Sequence, residues 1–309
     1  EKALWTAEGD GKKLTMMVGQ DEREQARMVV ERIRGLVGQG MRYGDLAVIY
    51  RTNAASRAFE EQLVRADIPH LLVGSIKFYE RREVRDLVGY LKLVLNPADD
   101  VALERVINTP RRGIGPKAID SLRELAAERG VPLLAAAREW SNGKGRGRKG
   151  AREFVATMDK LVAANNADMP PGQLVELAAT TSGYLPALEA EGTDEANARI
   201  DNLHELARAV GRAVDGLDAD EAAEAAADPQ RRLQLFLDQA SLSSQADQLP
   251  DEDDGRGRVT LLTAHLAKGL EFPVVFVAGM FQGGFPHFMA MDVEEELEEE
   301  RRLVYVAFT

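Results

Sequence analysis

Short apolar runs alternate with amphipathic stretches over the first hundred residues of the chain. Apolar runs at residues 13–18, 45–50 and 69–73 predict strands, and the second is almost continuously apolar, as expected of a parallel strand covered on both faces. Residues 21–37 and 54–66 predict helices because their apolar positions recur every three or four residues. This alternation predicts a parallel α/β sheet with right-handed crossovers.

A helical pattern replaces the alternation from residue 99 to about residue 249, and windows such as 122–137 have a 3.6-residue apolar period. Strand patterns return at residues 259–263 and 273–278, so we predict one α/β domain interrupted by an inserted all-helical domain. The predicted segments are 1–100 (α/β), 101–254 (helical insertion) and 255–309 (α/β).

Two stretches of the predicted insertion have the composition of loops. Residues 141–152 hold five basic residues, four glycines and no acidic residue, whereas residues 215–228 hold six carboxylates and no base. We interpret both as solvated connections within the helical domain.

The composition limits the chemistry of the chain. Its 309 residues carry a formal net charge of −12, so any polyanionic partner must be met by a local basic surface. The absence of cysteine excludes disulfides, thiolate metal sites and thiol nucleophiles, and the four histidines have no metal-binding spacing. No apolar run is long enough to span a membrane and no signal-peptide pattern is present, so we expect a cytoplasmic protein.

The strongest chemical signal directly follows the predicted strand at residues 259–263. There, Thr263, His265, Gly269 and Glu271 lie on one strand-to-turn segment, the place where open α/β sheets bind ligands. Thr and His side chains donate hydrogen bonds to phosphodiesters, a glycine allows close approach to a phosphate, and a glutamate accepts from ribose hydroxyls. The residues alone leave open a simple turn with a capping threonine and a surface histidine.

A second candidate site is a predicted helix, hairpin, helix unit around residues 108–117, which we call the G-I-G hairpin. Gly113 and Gly115 expose backbone N–H groups that can cradle a phosphate, and Arg111, Arg112 and Lys117 add positive charge without reading bases. The alternative from the residues alone is a plain glycine turn between packed helices.

Several separated segments resemble the UvrD/PcrA/Rep family of superfamily 1 DNA helicases. The sequence T-A-H-L-A-K-G-L-E-F followed by P-V-V-F is similar to motif V of that family. The other similar segments are 2–6 (the preceding linker), 50–57 (motif IV), 74–84 (the segment after it), 284–287 (the loop before motif VI) and 299–309 (the opening of motif VI).

The resemblance implies a fold and an activity. It implies the second RecA-like domain of a P-loop NTPase fold, interrupted by a helical domain, from an ATP-dependent helicase that moves 3′ to 5′ and unwinds duplex DNA in repair or replication. The implied partners are single-stranded DNA, duplex junction DNA, a first RecA-like domain in cis, and repair or transcription proteins. No membrane is implied, and the implied location is the cytoplasm, at the bacterial nucleoid.

The resemblance also assigns roles to residues. Arg51 matches the motif IV arginine that reaches the γ-phosphate of ATP, a role that suits a permanently charged planar donor. Gly269 and Glu271 match positions near the phosphates and ribose of the nucleotide, and Thr263 and His265 match contacts to the single-stranded DNA backbone. The G-I-G hairpin matches an element that contacts duplex DNA. For Arg51, an ion pair with a helix carboxylate stays open.

The chain also departs from the family pattern. The chain has no G-x-x-x-x-G-K-[ST] phosphate loop and no strand that ends in the acidic pair that would hold Mg²⁺, so we expect the Mg²⁺ ligands of an ATP site to come from the first RecA-like domain, before Glu1. The motif VI arginine would follow Thr309. We therefore expect no ATP hydrolysis from these residues alone. Leu266, Gly283 and Gly284 are unusual at their positions. A non-enzymatic module for duplex binding or protein docking is the alternative function.

Overall fold

A computed structural model describes residues 13–212, 225, 228–245 and 255–309 of the chain. Its strands are β1 (Leu46–Tyr50), β2 (His70–Leu72), β3 (Val259–Thr263) and β4 (Val274–Val277). Its helices are α1 (Glu22–Gly38), α2 (Ser56–Arg65), α3 (Arg82–Leu95), α4 (Asp100–Val106), α5 (Pro116–Arg129), α6 (Leu133–Ser141), α7 (Arg148–Asn166), α8 (Pro171–Thr181), α9 (Tyr184–Glu191), α10 (Asp194–Gly211), α11 (Pro229–Gln245) and α12 (Glu294–Phe308).

The four strands form one parallel sheet in the order β2-β3-β1-β4. Val48 of the central strand β1 pairs with Leu261 of β3 on one side and with Phe276 of β4 on the other. Strands from both ends of the chain therefore alternate within one sheet. The predicted α/β class, with a parallel sheet interrupted by helices, is confirmed.

Strand β1 is buried on both faces, which explains its continuous apolar run. Leu46, Val48 and Tyr50 pack with α1 and α2, whereas Ala47 and Ile49 pack with α12 on the opposite face. The two sets alternate because successive side chains of a strand point to opposite faces. The sheet is thus the middle layer of three, with its loops at the two strand ends left accessible.

Helices α3 to α11 share a separate apolar core. This core includes Leu87 and Leu91 of α3, a helix that the sequence pattern placed in the first α/β segment. Helix α3 therefore packs with the helical part of the chain, and the 1–100 boundary stays an interpretation of the sequence.

Two predicted elements differ in the structure. Residues 13–18 form no strand, because Leu14, Met16 and Val18 lie exposed and pair with no neighbouring strand among the described residues. The helical window at residues 122–137 is two helices, because Gly130 takes a left-handed φ of 64° after α5 and Pro132 precedes α6.

The predicted loops are described only in part. The basic stretch 141–152 is shorter than predicted as a loop, since α6 ends at Ser141 and α7 begins at Arg148. The acidic stretch 215–228 lies outside the described residues apart from two positions. In the described ranges, no helix is both long and apolar enough to cross a membrane.

Candidate functional site at the carboxyl ends of the strands

The predicted motif IV and motif V residues meet at one edge of the sheet. Arg51 directly follows β1, and Thr263 ends β3, where it is paired with Tyr50. The Ala264 amide donates to the Tyr50 carbonyl at 2.9 Å, which holds the two chain segments together beyond the strands. The structure thus brings together residues that are more than two hundred positions apart in the sequence.

Arg51 forms an ion pair with Glu300 of α12. Its Nε donates to Glu300 Oε1 at 2.6 Å, and the carboxylate is only 3% exposed. The other carboxylate oxygen, Oε2, accepts the backbone N–H of His287 at 2.9 Å. The helix-carboxylate ion pair that the sequence left open for Arg51 is therefore present.

This pairing uses only one side of the guanidinium. The terminal nitrogens Nη1 and Nη2 of Arg51 have no hydrogen-bond partner within the part of the chain that the structure describes. The side chain stays 24% exposed, so these donors are open to a ligand at the strand ends. An ion pair through Nε and a phosphate contact through Nη1 and Nη2 are geometrically compatible.

The motif V segment turns away from the sheet directly after Thr263. The Thr263 carbonyl accepts the amides of Leu266 at 3.0 Å and Ala267 at 3.1 Å, which makes one tight turn. Gly269 has a φ of 85° with open space where a Cβ would be, so its conformation favours glycine and leaves the backbone approachable. Glu271 is exposed nearby in sequence.

His265 lies exposed beside the arginine site. Partial burial lowers the pKa of its imidazole below the ordinary value of 6.5, and the positive charge of Arg51 lowers this pKa further. Glu300 acts in the opposite direction but does not reverse the shift. His265 is therefore held as a neutral donor or acceptor near neutral pH.

The unusual residues of the motif V region have structural roles. Leu266 packs over Gly74, where a Cβ would lie 2.4 Å from Leu266 Cδ1. Gly283 has a φ of 94°, and a Cβ on Gly284 would lie 2.7 Å from the Gly279 carbonyl. The local backbone and packing therefore accommodate the three residues.

A cleft of about 980 Å³, counting the open space at its mouth, lies beside Arg51. The ends of β1 and β4 form one wall, and α10 of the helical part forms another. His287 Nε2 lies 3.4 Å from Asp201 Oδ2 across this cleft. The loop before α12 thus touches both Glu300 and the helical insertion.

The G-I-G hairpin connects α4 to α5 as predicted. Asn108 Oδ1 accepts the amides of Arg112 at 2.8 Å and Ile114 at 3.2 Å, while the Ile114 side chain is buried. Gly113 has a φ of 75° and no atom near its missing Cβ. The predicted residues Gly113, Gly115, Arg111 and Lys117 lie exposed on the hairpin.

Arg112 faces inward, unlike its neighbour. Its Nη1 donates to the carbonyls of Val106, Ile107, Thr109 and Pro110, and its Nη2 donates to Tyr90 Oη at 2.9 Å and to the Ser182 carbonyl at 2.7 Å. The predicted phosphate contact requires those same donors. The structure therefore places Arg112 as the internal support of the hairpin, and leaves Arg111 and Lys117 as its outward charges.

A buried ionic network was missed by the sequence analysis. Arg57 of α2 donates through Nε to Glu205 of α10 and through Nη1 to Glu61 Oε1 at 2.8 Å. All three residues are less than 10% exposed. The Coulombic pull of Glu205 and Glu61 raises the pKa of Arg57 despite burial, which alone would lower it. Periodicity could not find the link between Arg57 and Glu205 because the two residues are 148 positions apart in sequence; the only local signal is the i,i+4 spacing of Arg57 and Glu61.

A second set of buried contacts lies beside this network. Arg81 donates to Asn202 Oδ1 at 2.8 Å and to Ser56 Oγ at 2.9 Å. Asn202 donates in turn to Glu83 Oε1 at 2.5 Å. Helix α10 is therefore fixed to α2 and to the start of α3 by buried polar contacts.

The parallel sheet and the helices between its strands have the α/β architecture that the sequence resemblance implies for a RecA-like helicase C-terminal domain. The chain matches the family described as UvrD-like helicase C-terminal domain over residues 1–142 and 151–309, and it belongs to that family. The resemblance found in the sequence is confirmed.

Curated relatives match the whole chain. ATP-dependent DNA helicase UvrD1 of Mycobacterium tuberculosis (strain H37Rv) is 42% identical over 320 residues, which cover 100% of the chain and 41% of that relative. ATP-dependent DNA helicase PcrA of Leuconostoc citreum is 40% identical, over 100% of the chain and 40% of its own length. DNA helicase II of Escherichia coli K12 is 38% identical, over 100% and 42%. The chain spans about two fifths of these relatives.

Proposed function

We propose that the chain is the second motor domain, with its inserted helical domain, of an ATP-dependent DNA helicase that moves 3′ to 5′. The observation that carries the proposal is Arg51, which Glu300 holds at the carboxyl ends of the strands with both terminal nitrogens unpartnered among the described residues. Ligands of open α/β sheets bind at this edge. The names of the relatives support DNA as the substrate and ATP as the fuel.

The residues at the strand ends fit a nucleoside triphosphate. The Nη1 and Nη2 donors of Arg51 suit the γ-phosphate, the open backbone at Gly269 suits close approach to a phosphate, and the exposed Glu271 suits the ribose hydroxyls. ATP bound with Mg²⁺ supplies the hydrolysable phosphoanhydride. The Mg²⁺ ligands and the phosphate loop belong, in this proposal, to a first RecA-like domain in cis, so this chain alone does not hydrolyse ATP.

The DNA contacts are divided between the two parts of the chain. His265, which is exposed, contacts the backbone of single-stranded DNA at the sheet edge, next to the nucleotide residues. Thr263 is only 8% exposed, and its carbonyl holds the turn that carries His265. The G-I-G hairpin contacts duplex DNA through Arg111, Lys117 and the amides of Gly113 and Gly115. This division places the strand being tracked near Arg51 and the duplex against the helical insertion, as an unwinding enzyme requires.

The cellular role follows from the same proposal. The enzyme unwinds junction DNA in repair or replication, works in the cytoplasm at the bacterial nucleoid, and meets repair or transcription proteins there.

The test is the ATPase activity of the full-length polypeptide that carries the phosphate-loop domain. Arg51→Ala is expected to lower the DNA-stimulated kcat by about a thousandfold, the usual value of an arginine that contacts a transferred phosphate. Arg65→Ala is the matched control, because Arg65 is exposed on α2 and has no acidic partner among the described residues. Strand displacement from a duplex with a 3′ tail, compared with a 5′ tail, measures the direction.

Two outcomes would overturn the proposal. Near wild-type turnover with Arg51→Ala would remove the arginine from the nucleotide site. A full-length protein with no DNA-stimulated turnover would favour a non-enzymatic module for duplex binding or protein docking.

A further inference from the structure

A glycine-rich basic segment, residues 143–150, lies beside the G-I-G hairpin. We call it the basic loop; its last three residues are the first turn of α7. Its sequence is G-K-G-R-G-R-K-G, with four basic residues and no acidic residue. The family match stops at residue 142 and resumes at residue 151, so the loop lies outside the family pattern. Any role of this loop must therefore be argued from its own residues.

The loop packs tightly against the hairpin. A Cβ on Gly150 would lie 2.1 Å from the Arg112 carbonyl oxygen, and one on Gly147 would lie 3.4 Å from the Gly113 carbonyl oxygen. Distances this short require glycine at position 150 and place the two backbones in direct contact. The basic loop and the hairpin are therefore neighbouring parts of one surface.

Two of the basic side chains have partners within the chain. Arg148 lies over the Trp140 ring, with its Cζ 3.7 Å from the ring centroid, and also donates to the Trp140 carbonyl. Lys149 Nζ lies 3.7 Å from Glu153 Oε1 one turn along α7, so this exposed pair lies within the helix. The Arg148 contacts therefore fix the end of the loop against α6.

The remaining cations point outward without counter-charges. Lys144 and Arg146 are exposed, and no carboxylate lies within ion-pair distance of either among the described residues. The same holds for Arg111 and Lys117 on the adjacent hairpin. An acidic protein thus carries an unneutralised basic surface made from two segments, which is the footprint expected of a polyanion site.

We infer that the basic loop is a second phosphate-binding element for duplex DNA, which extends the surface of the G-I-G hairpin through Lys144 and Arg146. The inference rests on the proposed contact between the hairpin and duplex DNA. The loop has no aromatic side chain to stack on unpaired bases, and the contacts that we assign to Lys144 and Arg146 are to phosphates, which carry no sequence information.

The experiment measures binding of a blunt-ended DNA duplex to the 309-residue chain over a series of salt concentrations. Lys144→Gln with Arg146→Gln is expected to weaken binding and to reduce the slope of log K against log salt by about two, since two phosphate contacts are lost. Lys92→Gln with Lys160→Gln is the matched control, because both lysines are exposed outside the loop and the hairpin and the change in net charge is the same. The charge-retaining variant Lys144→Arg with Arg146→Lys is expected to bind as wild type.

The outcomes separate this inference from the proposed function. If Arg111→Ala weakens duplex binding but the Lys144 and Arg146 variant matches the control, the loop is not a DNA element and the hairpin assignment stands. If the wild-type chain binds no duplex, both are overturned. An equal loss on a single-stranded oligonucleotide, or binding of anionic lipid vesicles in place of duplex, would also overturn the inference. Thermal unfolding of each variant verifies that the fold is retained.

Discussion

Glu300 binds two different parts of the molecule with one carboxylate. Its Oε1 accepts from Arg51 Nε at 2.6 Å, and its Oε2 accepts from the His287 amide at 2.9 Å. The arginine at the end of β1 is thereby fixed by α12 and by the loop before it. Glu300, in the acidic first half of α12, therefore supports the proposed nucleotide contact.

Loss of this carboxylate should destabilise the chain measurably. We expect Glu300→Ala to lower the free energy of unfolding by about 1–3 kcal/mol, because a charged hydrogen bond is lost and the His287 amide keeps no acceptor. The partial exposure of Arg51 places the value below that of a fully buried pair. Urea unfolding measures it. Glu299→Ala is the control, since the exposed pair of Glu299 with Arg302 is expected to contribute less than about 1 kcal/mol.

Alanine variants of the two neighbouring arginines of the hairpin should affect different properties, the free energy of unfolding for Arg112 and duplex binding for Arg111. Arg112→Ala removes the donors for carbonyls of the hairpin and for Ser182, and is expected to cost about 2–4 kcal/mol of unfolding free energy. Arg111→Ala is expected to change stability by less than about 0.5 kcal/mol while reducing the salt slope of duplex binding by about one. Equal unfolding curves for the two variants would contradict the internal role of Arg112.

The titration of His265 should report the charge of Arg51. Arg51→Ala removes a positive charge that disfavours the imidazolium, so the pKa of His265 is expected to rise toward its ordinary value of 6.5. The Cε1 proton of His265 in an NMR titration measures this pKa, and Arg65→Ala is expected to leave it unchanged. An unshifted titration in Arg51→Ala would mean that the two side chains are not electrostatically coupled.

The lowered pKa also fixes the sign of a pH effect on stability. The unfolded chain binds the His265 proton at a higher pH than the folded chain does. The contribution of His265 to stability is therefore fully present above about pH 6.5 and is lost as the pH falls through its lowered pKa.

Two helical glycines should respond in opposite directions to alanine. Gly35→Ala in α1 has open space around the new Cβ and is expected to stabilise the chain by about 0.5–1 kcal/mol through helix propensity. Gly150→Ala in α7 meets the Arg112 backbone and is expected to destabilise it by about 1–3 kcal/mol despite the same gain in propensity. Thermal unfolding of both variants checks the close approach of the basic loop to the hairpin. Stabilisation by Gly150→Ala would contradict it.

The sequence was sufficient for the elements whose burial follows a local period. The continuous apolar run of β1 and the apolar repeat of α1 predicted both correctly, because each reflects packing against the layers of one sheet. The strand predicted at residues 13–18 was wrong, since a short apolar run does not specify a partner strand. Helix boundaries near Gly130 were missed because the break is one residue with a left-handed φ.

Only the site residues that lie within the sequence motifs could be predicted from the sequence. The strand-end positions of Arg51 and Thr263 followed from parallel strands sharing one carboxyl edge. The partner of Arg51 is 249 residues away, and the inward position of Arg112 depends in part on the carbonyl of Ser182, directly after α8. Contacts of this range leave no periodic trace in the sequence, so the structure was needed to find them.

The buried contacts between α2 and α10 have a mechanical consequence. Any motion that carries α10 away from the sheet must break the buried ion pair between Arg57 and Glu205. Breaking this pair costs several kcal/mol, because each charge loses its partner. Helix α10 and the sheet are therefore expected to move together as one rigid body. Any swing of the G-I-G hairpin relative to the strand edge would then require bending within the helical insertion and not at the contact between α10 and α2.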